Sequence, residues 1–281
     1  MIDLSLIWIL IIGLGVLIYV VLDGFDLGIG ILFPFISDRQ ERDVMMNTVA
    51  PVWDGNETWM VLGGAGLFAA FPLVYSTVLS ALYMPIILMV IALIFRGVAF
   101  EFRFKANKTK HLWDQAFIWG SILSSFLQGV ILGAYIQGIE TTNGIYTGGG
   151  LDWLTPFSLF TGISVVVLYA TLGCGWLIFK TEKMLQNRMF ELMPKLLISL
   201  LMIFVCVSIY TPLAHPQIAE RWFSQPQLFY FSPVPVLVLL FTFLAIKACK
   251  QRKAFLPFIY TLALVILAYS GFVISLWAYV I

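Results

Sequence analysis

Two pairs of acidic residues lie within strongly apolar stretches of this sequence, and the members of each pair are three residues apart. Asp23 and Asp26 occur in "LDGFDLGIG", and Asp54 and Glu57 occur in "WDGNETW". A spacing of three places both members of a pair on one face of a helix. Ionisable groups inside membrane-spanning segments are costly and usually mark ion or proton routes. Both pairs are therefore candidates for proton transfer.

An arginine and a further acid occur in a third apolar stretch, "LIFRGVAFEFR", as Arg96 and Glu101. A guanidinium buried in the membrane requires a carboxylate partner, because an unpaired buried charge is very costly. Arg96 could instead extend to the lipid headgroups, as long basic side chains near helix ends often do. We predict that the cytoplasmic ends of the first three spans bring six side chains together as a proton-transfer cluster, namely Asp23, Asp26, Asp54, Glu57, Arg96 and Glu101.

Each acidic pair also has a structural interpretation. The first pair could mark a helix end that reaches water, with Gly24 and Gly28 ending the helix, although negative charge is unfavourable at a helix C-terminus. Asp54 and Glu57 match a capping-box-like start of a helix, where acids suit the helix dipole. A capping Asp54 could still carry protons, so both interpretations stay open.

The elements that must position these residues follow from composition. The chain has 281 residues, of which 61% are hydrophobic and 11% charged, with a mean hydropathy of +0.97, whereas soluble domains are about 25% charged. Runs of 18 or more apolar residues can each cross a bilayer as a helix. The predicted fold class is therefore all-α, a single polytopic integral-membrane domain of about eight transmembrane helices. The spans are predicted near 4–24, 56–76, 80–100, 115–138, 157–179, 192–212, 228–247 and 255–280, four of them within 1–145 and four within 146–281.

The basic residues alternate between the connecting segments. The gaps at 37–53, 101–113, 180–191 and 247–253 hold thirteen lysines and arginines, whereas the other gaps and both termini hold only Arg221. Cytoplasmic loops are enriched in such residues. We therefore predict that these four gaps are cytoplasmic and that both termini are on the outer side. The net charge of +1 gives no indication of a nucleic-acid partner.

Histidine and cysteine give no indication of a metal site. The two histidines, His111 and His215, both fall in predicted loops, so no pair of buried histidines is predicted to bind haem or copper. Cys174, Cys206 and Cys249 are far apart in the sequence and are interpreted as apolar filler. We predict no metal ligand in this chain.

Four motifs, in this order and spacing, resemble the second subunit of cytochrome bd-type quinol oxidases: "LDGFDLGIG", "NTVAPVWDGNETW", "GLFAAFP" and "FRGVAFEFR". The resemblance is dense over residues 15–105 and continues through "LWD", "TPF" and "SGFVISLWAYVI". The acid after "WDGN" resembles the cyanide-insensitive branch of the family. Members usually continue past this last motif with a further helix, whereas the present sequence stops at Ile281.

The resemblance implies a function within a complex. Such oxidases lie in the bacterial cytoplasmic (inner) membrane, oxidise membrane quinol and reduce dioxygen to water. The family's first subunit carries haem b and haem d-type groups with their main ligands, and the second subunit supports it; small accessory subunits and lipid are further implied partners. By motif match, Asp23, Asp26 and Asp54 correspond to acids associated with proton delivery or haem-site integrity. Trp53 corresponds to a position where some members bind a quinone, although a belt of aromatic residues at the membrane interface would explain this tryptophan without a ligand.

Two other functions remain as alternatives. A proton-coupled secondary transporter could use the same carboxylates, but transporters place polar groups near the membrane midplane. The acids here lie toward one face, and the later spans contain few central charges. The third possibility is a purely structural assembly subunit with no role in proton transfer. We expect the oxidase subunit.

Overall fold

The fold is all-α, as the sequence predicts. In a computed structural model of the chain, the described residues are 4–142, 144–214, 216–225, 229 and 232–276, so the predicted loop residue His215 lies outside the described part. The helices are α1 (Leu4–Leu32), α2 (Arg39–Asn47), α3 (Trp53–Ala70), α4 (Pro72–Arg103), α5 (Lys110–Gln137), α6 (Pro156–Lys180), α7 (Lys183–Ala214), α8 (Pro216–Phe223), α9 (Pro233–Lys250) and α10 (Leu256–Leu276). A 3-10 turn (Phe33–Phe35) follows α1, and β1 (Thr141–Thr142) pairs antiparallel with β2 (Ile145–Tyr146).

Seven of these helices are long and apolar enough to span a membrane, namely α1, α4, α5, α6, α7, α9 and α10. The remaining predicted span corresponds to α3, which has 18 residues. Its first two turns, "WDGNETW", are strongly polar and lower its mean hydropathy. The count of eight spans therefore stays a prediction.

Helix boundaries differ from the predicted ones in several places, of which two bear on the first three spans. The first helix continues to Leu32 rather than ending near residue 24, and Gly24 and Gly28 are buried inside it. The break between the second and third spans lies at Phe71, because Pro72 begins α4. Proline is favoured in the first turn of a helix, where its missing N–H would have no partner anyway.

The fourth helix is bent. Leu82 leaves the helical region (φ −117°, ψ 17°), three residues before Pro85. Proline inside a helix removes one backbone hydrogen bond and clashes with the preceding turn. The helix therefore consists of a short part before Leu82 and a long part that includes Arg96.

The chain forms two compact units, residues 1–173 and 174–281. In the first unit, glycines allow helices to approach at backbone distance. A Cβ on Gly28 of α1 would collide with the carbonyl of Tyr169 and the amide of Gly173, both on α6. A Cβ on Gly120 of α5 would lie 2.7 Å from the carbonyl of Ala92 on α4. Small residues serve the same purpose in membrane helix packing generally.

The second unit is held by apolar packing around α7, α9 and α10. Cys174 and Cys249 are buried there as free thiols, and Cys206 is an exposed one. The Cys174 sulfur lies 3.9 Å from the sulfur of Met189. All three cysteines are free thiols.

Candidate functional site

A buried arginine lies at the centre of three carboxyl groups in the first unit. Arg96 Nη1 is 3.1 Å from Asp23 Oδ1 and 3.6 Å from Glu57 Oε2. Its Nη2 is 3.7 Å from Asp26 Oδ2. Arg96, Asp23 and Asp26 are all 0% exposed. We call these four residues the Arg96 cluster, and they come from α1, α3 and α4.

The helices place this cluster by simple geometry. The two aspartates are three residues apart on α1 and so face the same side. Gly120 of α5 has no side chain, and a Cβ there would lie 2.9 Å from the Arg96 amide nitrogen. The backbone of α5 therefore covers Arg96 and excludes lipid from it. The guanidinium carbon also lies 5.6 Å from the centre of the Phe100 ring, a favourable cation–π distance.

Within the Arg96 cluster, three carboxyl groups share one guanidinium. Both Asp23 oxygens, Oδ1 of Asp26 and all three Arg96 nitrogens have no partner in hydrogen-bond geometry among the described residues. Because the acids compete for a single cation, their protonation states are coupled.

Asn56 is a member of the site that sequence reasoning missed. Its Nδ2 donates a hydrogen bond of 2.9 Å to Oδ2 of Asp26, and the residue is buried. The only sequence signal is its position between Asp54 and Glu57, where an uncharged side chain carries no electrostatic pattern. It supplies the one hydrogen bond that fixes the orientation of Asp26.

Exposure of the acids increases toward the start of α3. Asp23 and Asp26 are fully buried, the Glu57 side chain is 24% exposed, and Asp54 is exposed. Asp54 interacts electrostatically with Glu57 but makes no ion pair with Arg96 among the described residues. The N-cap of α3 is Val52, without a side-chain cap, so the capping-box interpretation is wrong. The acids form a graded series from surface to interior.

The prediction that Glu101 joins this cluster is wrong. Its side chain is 65% exposed and pairs with Lys105 one turn further along α4, at 3.4 Å. Five residues separate it from Arg96, which corresponds to a rotation of about 140° around the helix. The two side chains therefore point to different sides of α4.

Trp53 lies beside the cluster, at the first residue of α3. Its ring stacks on Phe100 with a centroid distance of 4.9 Å and an interplanar angle of 7°. A Cβ on Gly97 would lie 3.3 Å from the same indole, so the missing side chain leaves room for it. Trp53 is partly exposed, and it covers the surface of α4 next to Arg96.

A second charged network, which the sequence did not predict, lies two turns further along α4. Arg103 is fully buried and pairs through Nη1 with Asp43 Oδ1 at 2.6 Å and through Nε with Asp114. Lys110 Nζ is 3.0 Å from Asp43 Oδ2, and Arg42 Nη1 is 3.0 Å from Asp114 Oδ2. This Arg103 network joins α2 to the facing ends of α4 and α5.

The Arg103 network lowers the pKa of Asp43, which lies on α2 outside the membrane-spanning helices. Partial burial alone would raise the pKa of Asp43, but hydrogen bonds from Lys110 and Arg103 outweigh it and hold the pKa below its ordinary value. In the sequence, the basic members of the network count only as markers of membrane orientation. Nothing in their spacing indicates that they pair with Asp43 and Asp114.

Comparison with known proteins identifies the family. The family model for cytochrome bd terminal oxidase subunit II matches residues 4–281. The chain belongs to this family. Cytochrome bd-I ubiquinol oxidase subunit 2 of Escherichia coli (strain K12) is 34% identical over 197 residues, which is 66% of this chain and 51% of the relative. Cytochrome bd ubiquinol oxidase subunit 2 of Bacillus subtilis (strain 168) is 30% identical over 251 residues, 88% of this chain and 72% of the relative.

The fold is that of a bd oxidase as well. A solved bd oxidase from Geobacillus thermodenitrificans matches with a TM-score of 0.81 over 98% of this chain and 84% of that chain, at 17% identity. The chain spans about half the length of the relatives from Haemophilus influenzae and Escherichia coli, 50% and 51%. With seven helices able to span a bilayer, this bd oxidase subunit II is a multi-pass membrane protein.

The cytochrome bd family implies haem, whose iron is held by axial side-chain ligands such as histidine. His111, the one histidine in the described part, is exposed at the start of α5. No group of three or more His, Cys, Asp or Glu side chains among the described residues is arranged to hold a metal ion. The described residues of this subunit II therefore do not fit a histidine-ligated haem.

Proposed function

We propose that this chain is the haem-poor subunit of a quinol oxidase that reduces dioxygen to water, and that the Arg96 cluster conducts protons toward its haem-bearing partner. Membership of the subunit II family supports the first part. The graded exposure of the acids, from exposed Asp54 to fully buried Asp23, is the observation that carries the second. Water formation consumes protons, so a buried oxygen-reducing site requires a route for them.

The proposed route uses the acids in order of their burial. Asp54, exposed on α3, takes up a proton and passes it to Glu57 three residues along the same helix face. Glu57 shares Arg96 with Asp23, so a proton arriving at Glu57 is balanced by movement of another within the cluster. Because the cluster is buried, its charge cannot rise without a large desolvation cost. A proton can therefore enter the cluster only when another proton leaves it.

Arg96 and Asn56 have positioning roles in this proposal. The guanidinium compensates the negative charge of the acids. Without this compensation, burying the carboxylates in the bilayer interior would be energetically costly. Asn56 holds one oxygen of Asp26 at 2.9 Å, so that acid keeps a fixed orientation. Asp23 lies 3.1 Å from Nη1 of Arg96 and is the acid placed to exchange protons.

The remaining parts of the proposal concern the surroundings. The partner subunit would carry haem b and haem d-type groups, with small accessory subunits and lipid around the pair. Membrane quinol would be the electron donor, and the partly exposed face of Trp53 offers a surface on which its ring could stack. The complex would lie in the bacterial inner membrane, with the entry residue Asp54 on the cytoplasmic side.

The test is oxygen consumption by the purified complex with quinol as donor. We expect Asp23→Asn and Glu57→Gln to lower turnover by about a hundredfold, the usual contribution of a positioned proton-transfer group. Glu182→Gln is the matched control, since Glu182 is exposed in the short turn before α7 and lies outside the cluster. Haem absorbance before turnover shows whether each variant is assembled.

The same measurements separate the alternatives. Wild-type turnover in both acid variants would leave only the structural role of an assembly subunit. Purification of a colourless chain without a second membrane chain would favour the proton-coupled transporter. A variant with normal haem absorbance but slow turnover supports proton conduction.

A further inference from the structure

A chain of hydrogen bonds between three side chains ends next to Asp23 and has no part in the proposed proton route. The Tyr169 hydroxyl on α6 donates to Oε1 of Gln128 on α5 at 2.8 Å. Nε2 of Gln128 in turn donates to the Tyr19 oxygen on α1 at 2.7 Å. Both tyrosines are buried, with 6% of Tyr19 and 2% of Tyr169 exposed. Three helices of the first unit thus contribute to one directed chain.

Helix packing fixes the position of this chain relative to Asp23. Tyr19 precedes Asp23 by four residues on α1, so the two side chains are neighbours on one helix face, and they interact electrostatically. Gly24 brings the third member close, because a Cβ there would lie 2.9 Å from Cδ1 of the Tyr169 ring. Any larger residue at Gly24 would displace that ring from α1.

The direction of the hydrogen bonds follows from Asp23. An ionised carboxylate only accepts hydrogen bonds, and neither oxygen of Asp23 has a hydrogen-bond partner among the described residues. A phenol has a single hydrogen. If the Tyr19 hydrogen points to Asp23, the Tyr19 oxygen must accept from the amide of Gln128, which is the orientation present. The three donors then all point toward Asp23.

We propose that Tyr19 is a positioning residue that donates its hydroxyl hydrogen to the ionised carboxylate of Asp23, held in this orientation by Gln128 and Tyr169. The inference rests on the proposed function, since it concerns the acid at the inner end of the proton route. An amide releases its protons far too reluctantly to relay them, so Gln128 does not extend the route. The chain instead stabilises the state in which Asp23 has released its proton.

Other groups also face Asp23 and belong to the same balance of charge. They are Asp26 on α1, Glu57 on α3, Arg96 on α4 and Tyr169 on α6. Arg96 attracts the carboxylate, whereas the two acids repel it. Tyr19 is the group in a position to add a directional hydrogen bond.

The test compares Tyr19→Phe with Tyr169→Phe in the purified complex. Each change removes one hydroxyl and leaves one side of the Gln128 amide without its partner, so a role in packing alone predicts equal effects. The proposal predicts that Tyr19→Phe lowers turnover by about tenfold with an unchanged KM for quinol, the effect of one hydrogen bond to a charged group. Tyr169→Phe, which leaves the donor to Asp23 in place, should stay within about twofold of wild type.

A spectroscopic signal measures the hydrogen bond itself. Redox-induced infrared difference spectra should contain a carboxyl band that is missing in Asp23→Asn, and this band should move in Tyr19→Phe but not in Tyr169→Phe. If Tyr19→Phe does not assemble, Gln128→Leu replaces it. Leucine removes the amide that orients the Tyr19 hydroxyl and adds no carboxyl group, so the same band should shift.

Equal turnover in the two tyrosine variants, or an unmoved carboxyl band in Tyr19→Phe, would overturn the proposal. Asp23→Asn separates this failure from failure of the proton route. Wild-type turnover in Asp23→Asn contradicts the route itself. Slow turnover in Asp23→Asn together with wild-type turnover in Tyr19→Phe contradicts only the positioning role.

Discussion

At the scale of single residues, the main feature is the unequal support given to two neighbouring acids. Asp26 accepts a hydrogen bond from Asn56, whereas Asp23 is paired with Arg96 at 3.1 Å and lies beside the Tyr19 hydroxyl. Removing one partner of a buried ion pair typically costs about 3–5 kcal/mol. Arg96 therefore contributes to folding as well as to any proton transfer, and stability must be measured in every variant of the cluster.

The lowered pKa of Asp43 leads to a prediction about pH. Its folded-state pKa lies below the unfolded value, so its pairing stabilises the protein above about pH 4 and is lost as the pH falls further. Thermal unfolding of the complex between about pH 6 and pH 3 should show this loss. In Asp43→Asn, the melting temperature should be lower than that of wild type at about pH 6, and it should fall less than that of wild type on acidification.

The exposed acid Glu182 provides the control for this experiment. Glu182→Gln should keep the wild-type slope of melting temperature against pH, since that side chain lies outside the Arg103 network. Parallel curves for wild type and Asp43→Asn would show that the network does not contribute to acid stability.

The sequence predicted all four residues of the Arg96 cluster for a clear physical reason. Charged groups within apolar stretches are conspicuous, and four of the six predicted residues, Asp23, Asp26, Glu57 and Arg96, are in contact. Glu101 does not join the Arg96 cluster because its side chain points about 140° away from Arg96 around α4. Asn56 and the Tyr19–Gln128–Tyr169 chain were missed because uncharged polar side chains are ordinary in sequence and gain meaning only when helices pair.

At the scale of helices, boundaries were harder to predict than helices themselves. The end of α1 was placed near residue 24 because glycines often mark helix ends, whereas here they allow close packing. Hydropathy alone cannot distinguish these two uses of glycine. Phe71 lies in an apolar run, so only Pro72 marks the break between α3 and α4.

The crossing of α1 and α6 can be tested at Gly28. A Cβ there would overlap backbone atoms of Tyr169 and Gly173, which cannot move aside as a side chain can. We expect Gly28→Ala to destabilise the protein by about 1–3 kcal/mol, the usual cost of overpacking. Thermal unfolding of the complex measures it.

Gly64→Ala is the matched control for Gly28→Ala. No atom beyond its own helix and immediate neighbours lies within 4 Å of a Cβ at Gly64 among the described residues, and Gly64 is also inside a helix, α3. Alanine is the better helix former, so this variant should be as stable as wild type or slightly more stable. Equal destabilisation of the two variants would contradict close packing as the reason for Gly28.

At the scale of the whole molecule, the charge pattern predicts how the chain lies in the membrane. We expect Thr147→Cys to react with a membrane-impermeant maleimide on intact cells, and Glu182→Cys to react only after the membrane is opened. Both residues are exposed, and Cys206→Ser removes the exposed native thiol from the background. Labelling of Glu182→Cys on intact cells would reverse the predicted orientation.

The two buried arginines of α4 have a mechanical consequence for the first unit. Arg96 and Arg103 are seven residues apart and lie on nearly the same face, anchored by three and two ion pairs to other segments. Rotating or sliding this part of the helix would break the ion pairs of both arginines at once. Any flexing of α4 during turnover is therefore concentrated at Leu82, where the backbone is already irregular. The long part of the helix after Leu82 would stay in place, and the short part before it would move.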